Sequence, residues 1–438
     1  MFQRPRLLFC CFDFIPTASL LSRRITYYLK ALSGNFVVSL VCIKDPDHPH
    51  IELYEKARLL RVPLKQGTLQ ERIEQFERAL RRQLESEDYV IAHSFDLVSG
   101  QILAKLKQQL GYHLVFEAST LSSQVWPYSQ PEPGLAAENF KSAKTLAAFS
   151  ADALIVATEQ QKNYLQSQGL CKPPIHVLYN PAFPRKEISP RKEISASPSA
   201  YFQFLHLGGE SQLASLHTAL EALITLPQEL NFQLALGGYY SEKSKTQLNT
   251  LKETLNSRRS VIWPSMKRAI EAITILCSRT HAALLVLEQE PRNVELGGAM
   301  PELADFCMWG LPIIAADLPC VREFLSPEEA LFFTPGNSAM LAECMKELAA
   351  SPQRQAQLAS ASLAKADTFQ PSRFVEQALR LYNQWIDQQS EHAEPLSELL
   401  PDITPSMFPT TSNPSAPSLS QEQDTIIVPP ASLCPLPE

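Results

Sequence analysis

The chain has 438 residues, 45% of them hydrophobic, and a formal net charge of −7. This length suggests two domains with extensions, and the apolar content is ample for packed cores. The acidic balance gives no support to nucleic-acid binding, and no run approaches the roughly 20 apolar residues that span a bilayer.

Residues 6–12 read as a buried first strand, too strand-like and too soon followed by polar residues to be a signal peptide. Leu20 to Leu32 reads as a helix and Phe36 to Ile43 as a second strand. Tyr89 to Ala92, Leu114 to Phe116 and Ala153 to Val156 continue the alternation, and IHVLYNP at 175–181 closes this half. Strands alternating with helices predict a parallel sheet with crossover helices. The hexamer PRKEIS then occurs twice in tandem between Pro184 and Ser195; it is charged, proline-punctuated and without a hydrophobic face, which predicts an exposed linker. A second half starts at Phe202, where FQFLHLGG reads as a strand, Ser215 to Leu226 as an amphipathic helix, and NFQLALGG as a second strand. Pro371 to Ile386 reads as a terminal helix, and the ten prolines and many serines of 391–438 predict a disordered tail. The expected organisation is therefore a first domain over 1–183, a linker over 184–200, a second domain over 201–370, a helix over 371–390 and the tail.

The chemistry of the second half is concentrated around Asp305 to Glu323. Gly310 closes a short apolar helix, Pro312 prevents its continuation, and Ile313 to Ala316 form a strand-length apolar run. Gly297-Gly298-Ala299-Met300-Pro301 feeds that helix, whose N-terminus suits a phosphate. Of the 14 glycines, six are in three Gly-Gly pairs, all in this half. Two pairs end predicted strands, where open α/β sheets place their ligand crevice. Tight turns are the plainer explanation for any one pair.

These motifs resemble the donor-site signature of the retaining glycosyltransferases of the GT-B architecture, the glycosyltransferase family 4-like group, with two Rossmann-like α/β domains. The later part matches closely at Gly310, Leu311, Pro312, Asp317, Pro319, Arg322 and Glu323. Asp305 stands where the signature has its second glutamate, and Gly297 stands where it has the first; Glu295 lies two residues too early. In the first half, DYVIAHSFD is similar to the family's Asp-x-x-His-x-His strand end, with His93 at the second histidine. The resemblance covers about residues 6–386. It implies transfer of a hexose from a nucleotide diphosphate sugar to a hydroxyl with retention, Asp305 holding ribose or sugar hydroxyls and His93 facing the transferred sugar. It also implies that the terminal helix crosses back to the first domain. The donor-binding set would comprise Gly208, Gly209, Arg292, Glu295, Gly297, Gly298, Ala299, Met300 and Gly310.

The opening of the second half departs from the pattern. Gly209 stands where an arginine is expected and Ala214 where a lysine is, so both diphosphate-binding charges are replaced. Fixed cations stabilise a leaving diphosphate, and one such partner is worth about 3 kcal/mol. Arg292, in a Pro-Arg-Asn loop, is the preferred substitute; Arg279 and Lys267 are others. The rival class is a non-catalytic protein of the same fold that binds a glycan, a nucleotide or a protein.

Other chemistries lack their motifs: no Walker A sequence, G-x-G-x-x-G, H-E-x-x-H or G-x-S-x-G occurs. Nine scattered cysteines without a C-x-x-C pair read as buried thiols rather than a disulfide framework or zinc site. No metal or cofactor is expected beyond the nucleotide sugar as co-substrate. The expected location is cytoplasmic, with a glycan or lipid-linked acceptor. Arg23, Arg24 and Lys30 on one helix, and Arg72, Arg78, Arg81 and Arg82 on another, offer a basic surface for peripheral contact with an anionic membrane. Glu71, Glu74 and Glu77 on the second helix instead suit pairing on a solvated face.

Overall fold

The computed structural model describes residues 4–17, 19–118, 150–167, 169, 172–183, 201–209, 213–227, 229, 231–239, 246–247, 249–250, 253, 260–262, 269–295, 297–298 and 300–392. The duplicated hexamer and the tail from 393 onward lie outside these residues. Residues 1–387 make one compact unit that contains both sheets, and 388–438 make a second.

The first sheet is built from β1 (Arg6–Phe14), α1 (Leu20–Leu32), β2 (Val37–Ile43), β3 (Ile51–Tyr54) and β4 (Ala57–Val62). It continues through α2 (Leu69–Ser86), β5 (Ile91–Ser94), α3 (Leu97–Leu110), β6 (His113–Glu117), β7 (Ala153–Val156), α4 (Glu159–Ser167) and β8 (Ile175–Val177). Its strand order is β3-β4-β2-β1-β5-β6-β7-β8, parallel except for the β3–β4 hairpin. β1 shows why a continuous apolar run becomes a central strand. Leu7 and Phe9 enter the core on one face while Leu8 and Cys10 enter the core on the other. The helices begin where their side chains dictate: Ser19 caps α1, Asp96 caps α3, and Thr68 with Glu71 forms a capping box on α2.

The second sheet follows with β9 (Phe202–Gly209), α5 (Leu213–Thr225), β10 (Phe232–Tyr239), β11 (Ser260–Ile262), α6 (Ala269–Arg279) and β12 (Ala282–Leu285). Then come α7 (Pro291–Val294), α8 (Pro301–Met308), β13 (Ile313–Ala316), α9 (Pro319–Arg322) and β14 (Leu331–Phe333). The order is β11-β10-β9-β12-β13-β14, all parallel. In each sheet the order reverses beside the first strand, β1 or β9, which is where a doubly wound sheet opens its crevice. The chain ends its described part with α10 (Ser338–Ala350), α11 (Pro352–Lys365), a 3-10 turn (Ala366–Phe369) and α12 (Pro371–His392). Phe374, Ala378, Tyr382 and Trp385 of α12 pack into the core of the first sheet.

Local signals explain the signature segment. Gly310 takes φ +59; its N–H donates to the Cys307 carbonyl, and the Leu311 N–H donates to that of Phe306, closing α8. The paired glycines of β10 have a packing cause. A Cβ on Gly237 would sit 2.5 Å from Leu207 Cδ2 and 2.9 Å from Leu276 Cδ1. This pair therefore gives less support to a ligand edge than its position in the sequence suggests. Seven cysteines are described, and each is buried and unbridged.

Candidate donor site at the junction of the sheets

α8 is the element on which the expected site rests. Pro301 opens it at the first helical position, and Met300 supplies no side-chain cap. Gly297 has φ +65, and a Cβ there would lie 2.9 Å from Gln160 Cβ, Gln161 N and Thr158 Oγ1. The loop from the second sheet is thus seated on the start of α4 from the first. A side chain at 297 would collide with α4.

Asp305 lies one turn into α8 and is 2% exposed. Its carboxylate is not open to a ligand. Arg23 of α1 reaches it with both terminal nitrogens, Nη1 to Oδ1 and Nη2 to Oδ2, each at 3.0 Å. The Phe183 N–H also donates to Oδ1, at 2.8 Å. Arg23 lies over the Phe183 ring at 3.5 Å and donates to the Pro181 carbonyl at 3.3 Å. Burial raises the Asp305 carboxyl above its ordinary 3.8, and the Arg23 charge opposes that rise.

α1 also holds the segment that joins the sheets. Arg24 donates through Nη1 to the Leu178 carbonyl at 3.0 Å and to Asn180 Oδ1 at 2.9 Å, and through Nη2 to Glu117 Oε1 at 2.9 Å. Tyr27 donates to the Ala182 carbonyl, and Tyr28 to Glu117 Oε2. The side chains of Arg24 and Glu117 are both fully buried.

His93 corrects an expectation. It sits on β5 with no exposed surface, stacks on Phe95 at 4.1 Å and shares a hydrogen bond through Nδ1 with Tyr382 of α12. Burial, followed by the nearby Arg24 charge, holds its imidazole well below 6.5 and therefore neutral. It joins α12 to the first sheet and does not line a cleft. α1 corrects another. Arg24 is buried and the Arg23 side chain is 8% exposed, so the basic surface loses two of its charges there. On α2, Arg81 is shared between Glu77 and Glu85.

The end of the signature also faces the first sheet. The Glu323 carboxylate accepts the Glu159 N–H at 2.8 Å and the Gln160 N–H at 3.0 Å, capping α4 from outside. Asp317 and Arg322 pair with each other, and Arg322 covers Phe332. Gly208 and Gly209 stand at the end of β9 opposite Gly238 and Tyr239. Glu295 is exposed just after α7, the short helix that carries Arg292; the Arg292 side chain and Ala299 lie outside the described residues. Gly298 and Met300 are buried, and Gly310 closes α8 at its far end. Gly297, Gly298 and Met300 are thus buried in the loop that feeds α8, Asp305 is buried one turn into that helix, and His93 is buried on β5 of the first sheet. Sequence reasoning missed Arg23, Arg24, Glu117 and Glu323 as parts of the junction. Arg24 gave one signal, since it sits beside Leu21 and Tyr28 on the apolar side of its helix.

Among the described residues no cluster of His, Cys, Asp and Glu could hold a metal ion, and no helix is long and apolar enough to cross a membrane.

Residues 21–181 match the model of the glycosyl transferase 4-like domain. Solved structures with the same fold include sucrose-phosphate synthase from Thermosynechococcus elongatus, at TM-score 0.71 and 18% identity, covering 88% of this chain and 100% of that one. Anabaena HepE in complex with UDP-glucose gives 0.66 and 15%, covering 86% and 99%. WaaG, a glycosyltransferase involved in lipopolysaccharide biosynthesis, gives 0.65 and 17%, also covering 86% and 99%. No curated protein matches the chain by sequence. The fold is that of the GT-B glycosyltransferases: mixed α/β with two parallel sheets.

Proposed function

We propose that this protein transfers a hexose from a nucleotide diphosphate sugar to a glycan or lipid-linked hydroxyl, with retention of anomeric configuration. The observation that carries the reading is the glycosyl transferase 4-like match over 21–181 in a chain of GT-B fold. HepE, of that fold, is seen with UDP-glucose. The donor would lie beyond the ends of β9 and β12. Gly208, Gly209 and the 297–300 loop would offer backbone groups to its phosphates, and Asp305 would accept hydroxyl hydrogen bonds when released from Arg23. Arg292 on α7 would replace the charges absent at Gly209 and Ala214 and stabilise the leaving diphosphate. His93, buried against Phe95 and Tyr382, is left out of this proposed site. The protein would act in the cytoplasm, and any membrane contact would fall to α2.

One set of observations favours a second reading, a non-catalytic binder. Both expected cations are replaced, and Asp305, Gly297 and Glu323 are engaged in contacts between the sheets. Calorimetry of Arg292→Ala separates the two. On the transferase reading the variant binds the matching nucleoside diphosphate, UDP, GDP or ADP, more weakly than the wild type, and the nucleoside alone is weakened less. Equal weakening of both removes the phosphate role, and no binding of either to the wild type at millimolar concentration favours the non-catalytic reading.

A further inference from the structure

Three contacts join elements of the two sheets, two of them, at Asp305 and Gly297, on the segment that a donor would occupy. Arg23 takes both oxygens of Asp305. Glu323 fills the amide N–H groups at the start of α4, an anion site already occupied by a tethered anion. Between them, Gly297 lies so close to Thr158, Gln160 and Gln161 that not even a methyl group fits.

We propose that the Arg23–Asp305 ion pair is an autoinhibitory contact, which keeps the α8 loop covered by α4 and admits a nucleotide sugar only after the pair opens. The proposal rests on the donor reading above and adds the regulation of that site. A carboxylate has about four lone-pair positions, and three are spent on Arg23 and Phe183. A ribose or hexose hydroxyl has to displace the guanidinium to gain the strong positions. These latches are polar, built from two carboxylates, one guanidinium and backbone N–H groups, so opening exposes groups that water can serve. When only a fraction of molecules is open, apparent affinity falls by that fraction, and a change that releases the latch restores it. The joining segment is well placed to carry the motion. Arg23 holds it at Pro181 and Asp305 takes its Phe183 N–H, so loss of the pair frees its end, while Arg24 still anchors Leu178 and Asn180.

The test compares full-length wild type with Arg23→Gln, Arg23→Lys and Glu323→Ala. Small-angle scattering reads the radius of gyration, and calorimetry reads UDP-glucose affinity. Arg23→Gln should expand the particle and bind UDP-glucose tenfold or more tightly than the wild type. Arg23→Lys, which keeps the charge, should stay near the wild type. Glu323→Ala releases the other latch and should also tighten binding, so the test survives if Arg23→Gln does not fold. Wild-type binding that neither Arg23→Gln nor Glu323→Ala improves would overturn the autoinhibitory role and leave the donor reading standing. Expansion without binding of UDP-, GDP- or ADP-glucose by any of the four proteins would overturn both.

Discussion

Asp305→Leu is the most informative single change at the junction. It removes the acceptor of two guanidinium N–H bonds at 3.0 Å and of the Phe183 N–H at 2.8 Å. Arg23 then keeps only the Pro181 carbonyl at 3.3 Å and the Phe183 ring among these contacts. With the two side chains 8% and 2% exposed, the pair is desolvated, and breaking such a pair from one side costs about 3–5 kcal/mol. Asp305→Asn keeps an acceptor oxygen and should cost about 1–3 kcal/mol, the range for a hydrogen bond to a charged group. In Arg23→Met with Asp305→Leu neither charge is stranded, and replacing a whole buried pair by apolar groups is often close to neutral. The double variant should therefore be more stable than Asp305→Leu alone. Urea denaturation followed by far-ultraviolet circular dichroism, with the wild type, Arg23→Met, Asp305→Leu and the double variant compared as a double-mutant cycle, gives the coupling. If Asp305→Leu costs less than about 1 kcal/mol, the level of an exposed pair, the desolvated contact is refuted and the latch with it.

Arg24→Met strands the fully buried Glu117 and removes the grip on Leu178 and Asn180; it should cost at least as much, about 3–5 kcal/mol. Glu117→Gln, which still accepts from Arg24 and Tyr28, should cost less in the same urea assay. His206 on β9 is buried, which pushes its imidazole down from 6.5 to about 4. The unfolded chain therefore takes up a proton that the fold refuses, and stability present above pH 6.5 is lost as the pH falls toward 4. From pH 7.5 to 4.5 that loss is about 2–3 kcal/mol; His206→Leu should show a shallower decline in urea midpoint over this range, and an unchanged decline would refute the assignment. Gly297→Ala places a methyl group 2.9 Å from three atoms of the α4 region at φ +65. Either the junction opens or the chain loses more than about 1 kcal/mol, visible as a larger radius of gyration or a lower Tm; neither change would mean that the contact is slack.

The parts of the fold legible in the sequence are those with local causes. β13 shows itself as four apolar residues after Gly-x-Pro, and β9 as an apolar run ending in Gly208-Gly209. The α8 stop at Gly310 needed only the left-handed conformation that glycine takes without strain. The junction was not legible, because its pairs are distant in sequence. Arg23 meets Asp305 across 282 positions, and Arg24 meets Glu117 across 93. An arginine on an amphipathic helix has the same local pattern whether it faces water or a buried carboxylate. Spacing alone therefore made a membrane surface of residues that hold the chain's joining segment. His93 misled for a related reason. A histidine at a strand end is consistent with a cleft, and only the return of α12 brings Tyr382 over it. The glycine at 297 was visible in the sequence, whereas the approach of α4 that leaves no room for a side chain there was not.

The claim that this chain handles nucleotide sugars is tested most directly by saturation-transfer NMR, with UDP-, GDP- and ADP-glucose offered to the wild type and to Arg23→Gln. The account predicts that one of the three shows saturation at its base and ribose protons, more strongly with Arg23→Gln, and that the matching nucleoside diphosphate displaces it. No saturation from any of the three with either protein would contradict the account.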